Sequence, residues 1–192
     1  MSRILVKKER VINAAPENVY AVLSDYKNQR PQMLTRNFLD YMVEKGGKGN
    51  GTVVSYRLRA ANRERPYKMR VDEPVKGEVI TERDNNSSLV TTWALSPLKG
   101  GKKTKVRVSS EWDGGTGVRG FFERTFAPLG LRRIYGRMLG ELFGLTRTDT
   151  TSVTAVKGKE GSPSANATAF LLIFGIVIAF AVGISVFRKS QQ

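Results

Sequence analysis

The sequence contains no cysteine and no histidine. Disulfides, thiolate nucleophiles, Cys/His zinc sites and imidazole acid–base catalysis are thereby excluded. Acidic side chains are also scarce, with 17 Asp and Glu against 32 Lys and Arg and a net charge of +15. A chain this basic is attracted to polyanions, either nucleic acid or an anionic membrane surface. Its 192 residues have room for one domain of ordinary size and a short remainder, not for two full domains.

Long hydrophobic runs are missing until the C-terminal end, where ATAFLLIFGIVIAFAVGISVF (167–187) carries no charge. As a helix this run spans about 32 Å, close to the roughly 30 Å of a bilayer's hydrocarbon core. It is read as a single transmembrane helix, followed by a short basic tail (188–192) opening with Arg188 and Lys189. Gly175, Ala179 and Gly183 recur every four residues on one face of it, which offers a route to a homodimer through the span. The first residues, MSRILVKKERV, contain no apolar run of signal-peptide length, so the preceding domain is expected on the cytoplasmic side. Residues 148–166, rich in Thr, Ser, Gly and Lys, read as a flexible linker.

Residues 1–147 remain for the folded domain. Ile4 to Ile12 is strand-like. AAPE then opens a helix, with Pro16 in the first turn, Glu17 complementing the macrodipole, and Val19, Val22, Leu23 and Tyr26 on one face. Pro31 is expected to end it. From Phe38 onward, strand-like runs are divided by the turn signals GGKGNG, ANRERP, EPVKG, RDNNSS and SPLKGGKK, the signature of an antiparallel meander. Its apolar face carries Tyr56, Leu58, Met69, Thr91, Trp93, Ser110 and Trp112, and Arg57, Arg59, Lys68, Arg70, Lys105 and Arg107 take the other. Glu78, Glu82 and Glu111 are assigned to that outer register too. The segment FFERTFAPLGLRRIYGRMLGELFGL (121–145) is the helix left to cover the apolar face, and Pro128 and Gly130 are expected to kink it.

The stretch WDGGTGVRGFF holds a G-x-G-x-x-G pattern at Gly115, Gly117 and Gly120. A dinucleotide site needs a buried parallel strand before these glycines and a second strand after the helix. KVRVSSEW instead alternates as a half-buried antiparallel strand does, and the helix is followed by linker. The pattern is read as a chance match at a strand-to-helix corner, and no cofactor or metal is expected.

VINAAPENVYAVLSDYKNQRPQML (11–34) resembles the opening of the START-like, or SRPBCC, superfamily. Residues 121–145 resemble the arginine-bearing last helix of its polyketide cyclase/dehydrase-like branch. The resemblance implies an α+β helix-grip fold, a curved antiparallel sheet wrapped on a long C-terminal helix, with a cavity for a lipid or other hydrophobic molecule between them. It carries over no catalytic residue. The expected lining is the seven sheet residues just named with Phe122, Phe126, Leu131 and Tyr135 from the helix side.

Three functions follow from this reading. The favoured one is membrane-tethered binding, with possible transfer, of a lipid or other hydrophobic small molecule, Arg132, Arg133 and Arg137 facing an anionic membrane surface. The alternative is a cyclase or dehydratase acting on a bound hydrophobic substrate such as a polyketide; with no carboxylate expected on the apolar face, it ranks lower. Nucleic acid is not expected as a partner, because the basic residues are scattered along strands and turns.

Overall fold

The computed structural model describes residues 3–60, 63–115 and 127–156. Seven strands form one antiparallel sheet in the order β1-β7-β6-β5-β4-β3-β2. They are β1 (Arg3–Ile12), β2 (Phe38–Lys45), β3 (Val53–Ala60), β4 (Arg63–Val75), β5 (Val79–Asp84), β6 (Val90–Leu98) and β7 (Lys103–Asp113). Strands β2 to β7 follow one another as a meander, whereas β1 pairs with β7 from Arg3↔Asp113 to Ile12↔Thr104. Two helices, α1 (Pro16–Ser24) and α2 (Arg30–Met33), carry the chain from β1 to β2 at the opposite edge.

Local chemistry explains the elements. Pro16 occupies the first turn of α1, where a missing N–H costs nothing, and Glu17 stands beside the positive end of the helix. The helix ends at Ser24, earlier than Pro31 suggested. Asp25 stops it by turning its carboxylate back to accept from Asn28 N at 2.9 Å and Lys27 N at 3.2 Å. Pro31 lies instead in the first turn of α2. Between β2 and β3 the glycine-rich loop is pinned to α1, since Gly49 N donates to Ser24 O at 2.8 Å. Register shifts in β2 between Leu39 and Met42 and in β4 between Asp72 and Val75 mark bulges of the kind that bend a sheet.

The last helix, α3 (Ala127–Val156), lies against the concave face, packing on β1, β3, α1 and α2. Ile134, Tyr135, Met138, Leu139 and Leu142 are its buried stripe. Pro128 and Gly130 leave it unbroken, because Pro128 falls in its first turn. It also runs through 148–156, part of the stretch expected as linker, which holds no Gly or Pro before Gly158 to interrupt it. Val6, Ile12, Val19, Val22, Leu23, Val106 and Val108 are buried in the core cluster with the helix stripe.

The linker from 157, the apolar run 167–187 with its Gly175, Ala179 and Gly183 stripe, and Gly117, Gly120, Phe122 and Phe126 lie outside the described residues. No helix among the described residues is long and apolar enough to cross a membrane.

Candidate ligand cavity

The first three turns of α3 stand over the sheet and leave a cavity of about 780 Å³. That is within the range of small-molecule sites, which run from roughly 300 to 1,000 Å³. Of the expected residues, Tyr56, Leu58, Thr91, Trp93 and Trp112 line it from the sheet, and Leu131 and Tyr135 from the helix. Met69 is fully buried but is not part of the lining, and Ser110 stands behind the wall. Arg132, Arg133 and Arg137 are exposed on α3.

Strand periodicity places the sheet residues. Thr91 and Trp93 alternate inward on β6, and Ser110 and Trp112 on β7, with Thr91 directly opposite Ser110. Thr91 Oγ1 and Ser110 Oγ are 2.6 Å apart, and Ser110 in turn hydrogen-bonds the Tyr135 hydroxyl. This chain satisfies three buried hydroxyls and clips α3 to the centre of the sheet. Burial pushes the Tyr135 phenol up to about 12, with the Ser110 hydrogen bond opposing the rise. Aromatic rings continue the wall across β2, β3 and β4: Tyr56 meets Phe38 edge-on at 5.0 Å, Tyr41 at 6.5 Å and Tyr67 at 5.7 Å.

The sequence gives no expectation of the polar group in this wall. Arg30 of α2 is buried, with its guanidinium 4.6 Å from the Tyr26 ring and 4.9 Å from the Trp93 ring. It pairs with Glu82 of β5 and donates to Leu23 O at 2.8 Å. The Tyr26 hydroxyl donates to the same Glu82 oxygen, Oε1, at 2.7 Å. Glu82 therefore faces inward, correcting its assignment to the outer register; Glu78 is exposed, and Glu111 pairs with Arg3 at 3.4 Å. Parity with Ile80, which is fully buried, is the signal that would have placed Glu82, and Tyr26 stands at i−4 from Arg30.

Burial works against the Arg30 charge, yet the Glu82 carboxylate beside it more than compensates and holds its pKa above the usual arginine value. Burial pushes the phenols of Tyr26 and Tyr56 well up, so both stay neutral. The cavity thus presents mostly neutral aromatic and aliphatic surface around the internally compensated Arg30–Glu82 pair, with Glu64, Arg65 and Asp113 also in its lining. Among the described residues no group of carboxylates converges to hold a metal ion.

Comparison with known proteins agrees with this architecture. The solution structure of the KanY protein is 41% identical, superposes with a TM-score of 0.68, and covers 77% of this chain and 99% of its own. The Zhui aromatase/cyclase from Streptomyces sp. R1128 superposes with a TM-score of 0.63 at 16% identity, over 76% of this chain and 94% of its own. A START superfamily protein from Mycobacterium smegmatis gives 0.58 at 15% identity, over 75% and 97%. These last two share the fold with this chain. No curated protein sequence matches it. The family model described as polyketide cyclase / dehydrase and lipid transport matches residues 3–143, and the chain belongs to that family.

Proposed function

We propose that the protein binds a hydrophobic small molecule in the cavity under α3, beside a bilayer to which residues 167–187 hold it. The observation that carries the reading is the cavity itself, walled largely by aromatic and aliphatic side chains, with the buried Arg30–Glu82 pair set into it and Glu64, Arg65 and Asp113 also in its lining. Its family includes lipid-transport proteins as well as cyclases and dehydrases. Moving a sixteen-carbon chain from bilayer to water costs on the order of 13 kcal/mol, so an apolar cavity held close to the membrane shortens the exposed step. The uncharged run supports the tether, and the net charge of +15 with exposed Arg132, Arg133 and Arg137 supports contact with anionic lipid.

Native mass spectrometry of the full chain, extracted gently from its own membrane, tests the binding. One co-purifying hydrophobic molecule per chain is expected, and an empty cavity under all extraction conditions refutes it. Ile176→Arg with Phe180→Arg should release the chain from alkali-washed membranes; unchanged retention would sink the tether.

A second reading, a cyclase-type enzyme, draws support from Glu82, a carboxylate in the cavity wall bonded to a tyrosine and an arginine. A bound molecule recovered chemically altered by the wild type, and unaltered by Glu82→Gln, would favour it over simple binding.

A further inference from the structure

An antiparallel meander sends its turns alternately to two ends of the sheet. The connections β2–β3, β4–β5 and β6–β7 share one end, where β1 also finishes; the β5–β6 turn, the start of β4 and the finish of β7 lie at the other. The second end is the mouth of the cavity, because the exposed residues of the lining, Glu64, Arg65, Ser87, Ser88 and Asp113, all stand there. Helix α3 runs from the mouth toward the first end: Ala127 and Gly130 line the cavity, and Gly136 and Gly140 then lie beside Lys8 and Arg10 of β1 in turn.

The first end is strongly basic. Residues 45–53, 75–79 and 98–103 hold six lysines, Lys45, Lys48, Lys76, Lys99, Lys102 and Lys103, against one acidic residue, Glu78. Among the described residues the lysine that makes an ion pair is Lys68, with Glu44, so these six carry their charge unpaired. Of the carboxylates packed close by, Glu73 is held by Tyr20 and Asp25 by Asn28. Lys99 stands at φ +51°, a backbone that glycine adopts with less strain, which sets a cation at the tip of its turn. Val75, 46% exposed beside Lys76, adds an apolar side chain among the cations. The three segments contain no aromatic residue and so lack the rings on which single-stranded nucleic acid stacks. After α3 ends at Val156, ten residues separate it from the uncharged run 167–187.

We propose that this lysine end docks on an anionic lipid leaflet, the one that residues 167–187 enter on the tether reading above, and that the cavity mouth stands at the end away from it. Attraction to such a leaflet falls off within a Debye length, so it is felt by charges carried at the surface of contact. The three basic connections succeed one another across the sheet and can meet a flat surface together. Arg132 and Arg133, exposed in the second turn of α3, are the rival contact and would bring the mouth to the lipid instead.

The test uses Asn50→Cys at the lysine end and Asn86→Cys at the mouth end, both at exposed positions and each the sole cysteine of its chain, labelled with a donor dye. The full chain is reconstituted in phosphatidylcholine vesicles with or without phosphatidylglycerol, with an acceptor dye on lipid headgroups. Energy transfer should be greater from Asn50→Cys than from Asn86→Cys when phosphatidylglycerol is present, and the excess should shrink without it or in high salt. Lys99→Gln with Lys102→Gln and Lys103→Gln should lower the docked-to-undocked ratio by about fivefold per lysine. Equal or greater transfer from Asn86→Cys, an excess indifferent to phosphatidylglycerol, or a triple variant that docks like the wild type would overturn the proposal. Tighter binding to polyuridylate than to the phosphatidylglycerol vesicles would overturn it in favour of nucleic acid. A chain washed from the vesicles by high salt would refute the tether, and phosphatidylglycerol-dependent transfer at low salt would then still uphold the lysine end.

Discussion

Tyr26 and Glu82, separated by 56 residues, share a buried 2.7 Å hydrogen bond in the wall of the cavity. One comes just after α1 and the other from the middle of the sheet, so the bond ties the β1-to-β2 crossover to the strands it spans. Arg30 completes the tie at the same oxygen. The polar group in the cavity wall is thus also a structural joint.

Breaking that joint from one side should be costly. Glu82→Ala leaves the Arg30 guanidinium buried without a counter-charge, a loss of about 3–5 kcal/mol. Replacing the whole set, Tyr26→Phe with Arg30→Met and Glu82→Leu, removes both charges and the dependent hydroxyl and should cost far less than the single change. Urea denaturation of the two variants checks the order, which reverses if the pair is not buried as described.

Alkaline pH should weaken the fold through its phenols. Tyr135 titrates near 10 when unfolded but is pushed up to about 12 in the folded state, chiefly by burial. Its neutral form is favoured by folding, so its contribution is fully present below about pH 10 and is lost as pH rises toward about 12. The loss is on the order of 2–3 kcal/mol from this group, and Tyr26 and Tyr56 shift the same way. Chemical denaturation across that window should show a shallower decline for Tyr135→Phe than for the wild type.

Gly130 offers a way to close the cavity. A Cβ added there would lie 4.0 Å from Ala60 Cβ, an ordinary contact, and both residues line the cavity. Gly130→Ala should therefore stabilise the helix by about 0.5–1 kcal/mol and raise the Tm by about 1–4 °C. Gly130→Phe should fill the space, keeping the far-ultraviolet circular dichroism of the wild type and losing the co-purifying ligand.

The loop that closes on α1 is less forgiving. Gly49 has φ +61°, and a Cβ there would lie 2.9 Å from the Glu73 carboxylate, which Tyr20 holds through a 2.5 Å hydrogen bond. Gly49→Ala should cost about 1–2 kcal/mol, read as a lower urea midpoint; Glu73→Ala in the same chain should recover part of it.

Strand alternation made much of this site legible in the sequence. Thr91, Trp93, Ser110 and Trp112 could be put on one face because polar and apolar residues exchange every second position in β6 and β7. Glu82 escaped the same logic because its charge argued for water, although parity with Ile80 argued for the interior. Arg30 lies on a helix of four residues, too short to show a period, and only its i+4 relation to Tyr26 points inward. Asp25 ends α1 by a side-chain turn that competes locally with the helix, a choice hydrophobic periodicity does not encode. The unbroken α3 follows from where Pro128 falls within it, a matter of one turn.

The pairing of β1 with β7 has a consequence for synthesis. Arg3 finds its neighbour only in Asp113, so the first strand made must wait for the last. At about 5–20 residues per second, that wait is on the order of ten seconds. During it, Leu5, Val11 and the backbone of β1 have no sheet to join, and edges left open in this way invite pairing with other nascent chains. The run of charged residues Lys7, Lys8, Glu9 and Arg10 along that strand is the kind of gatekeeper that opposes such pairing.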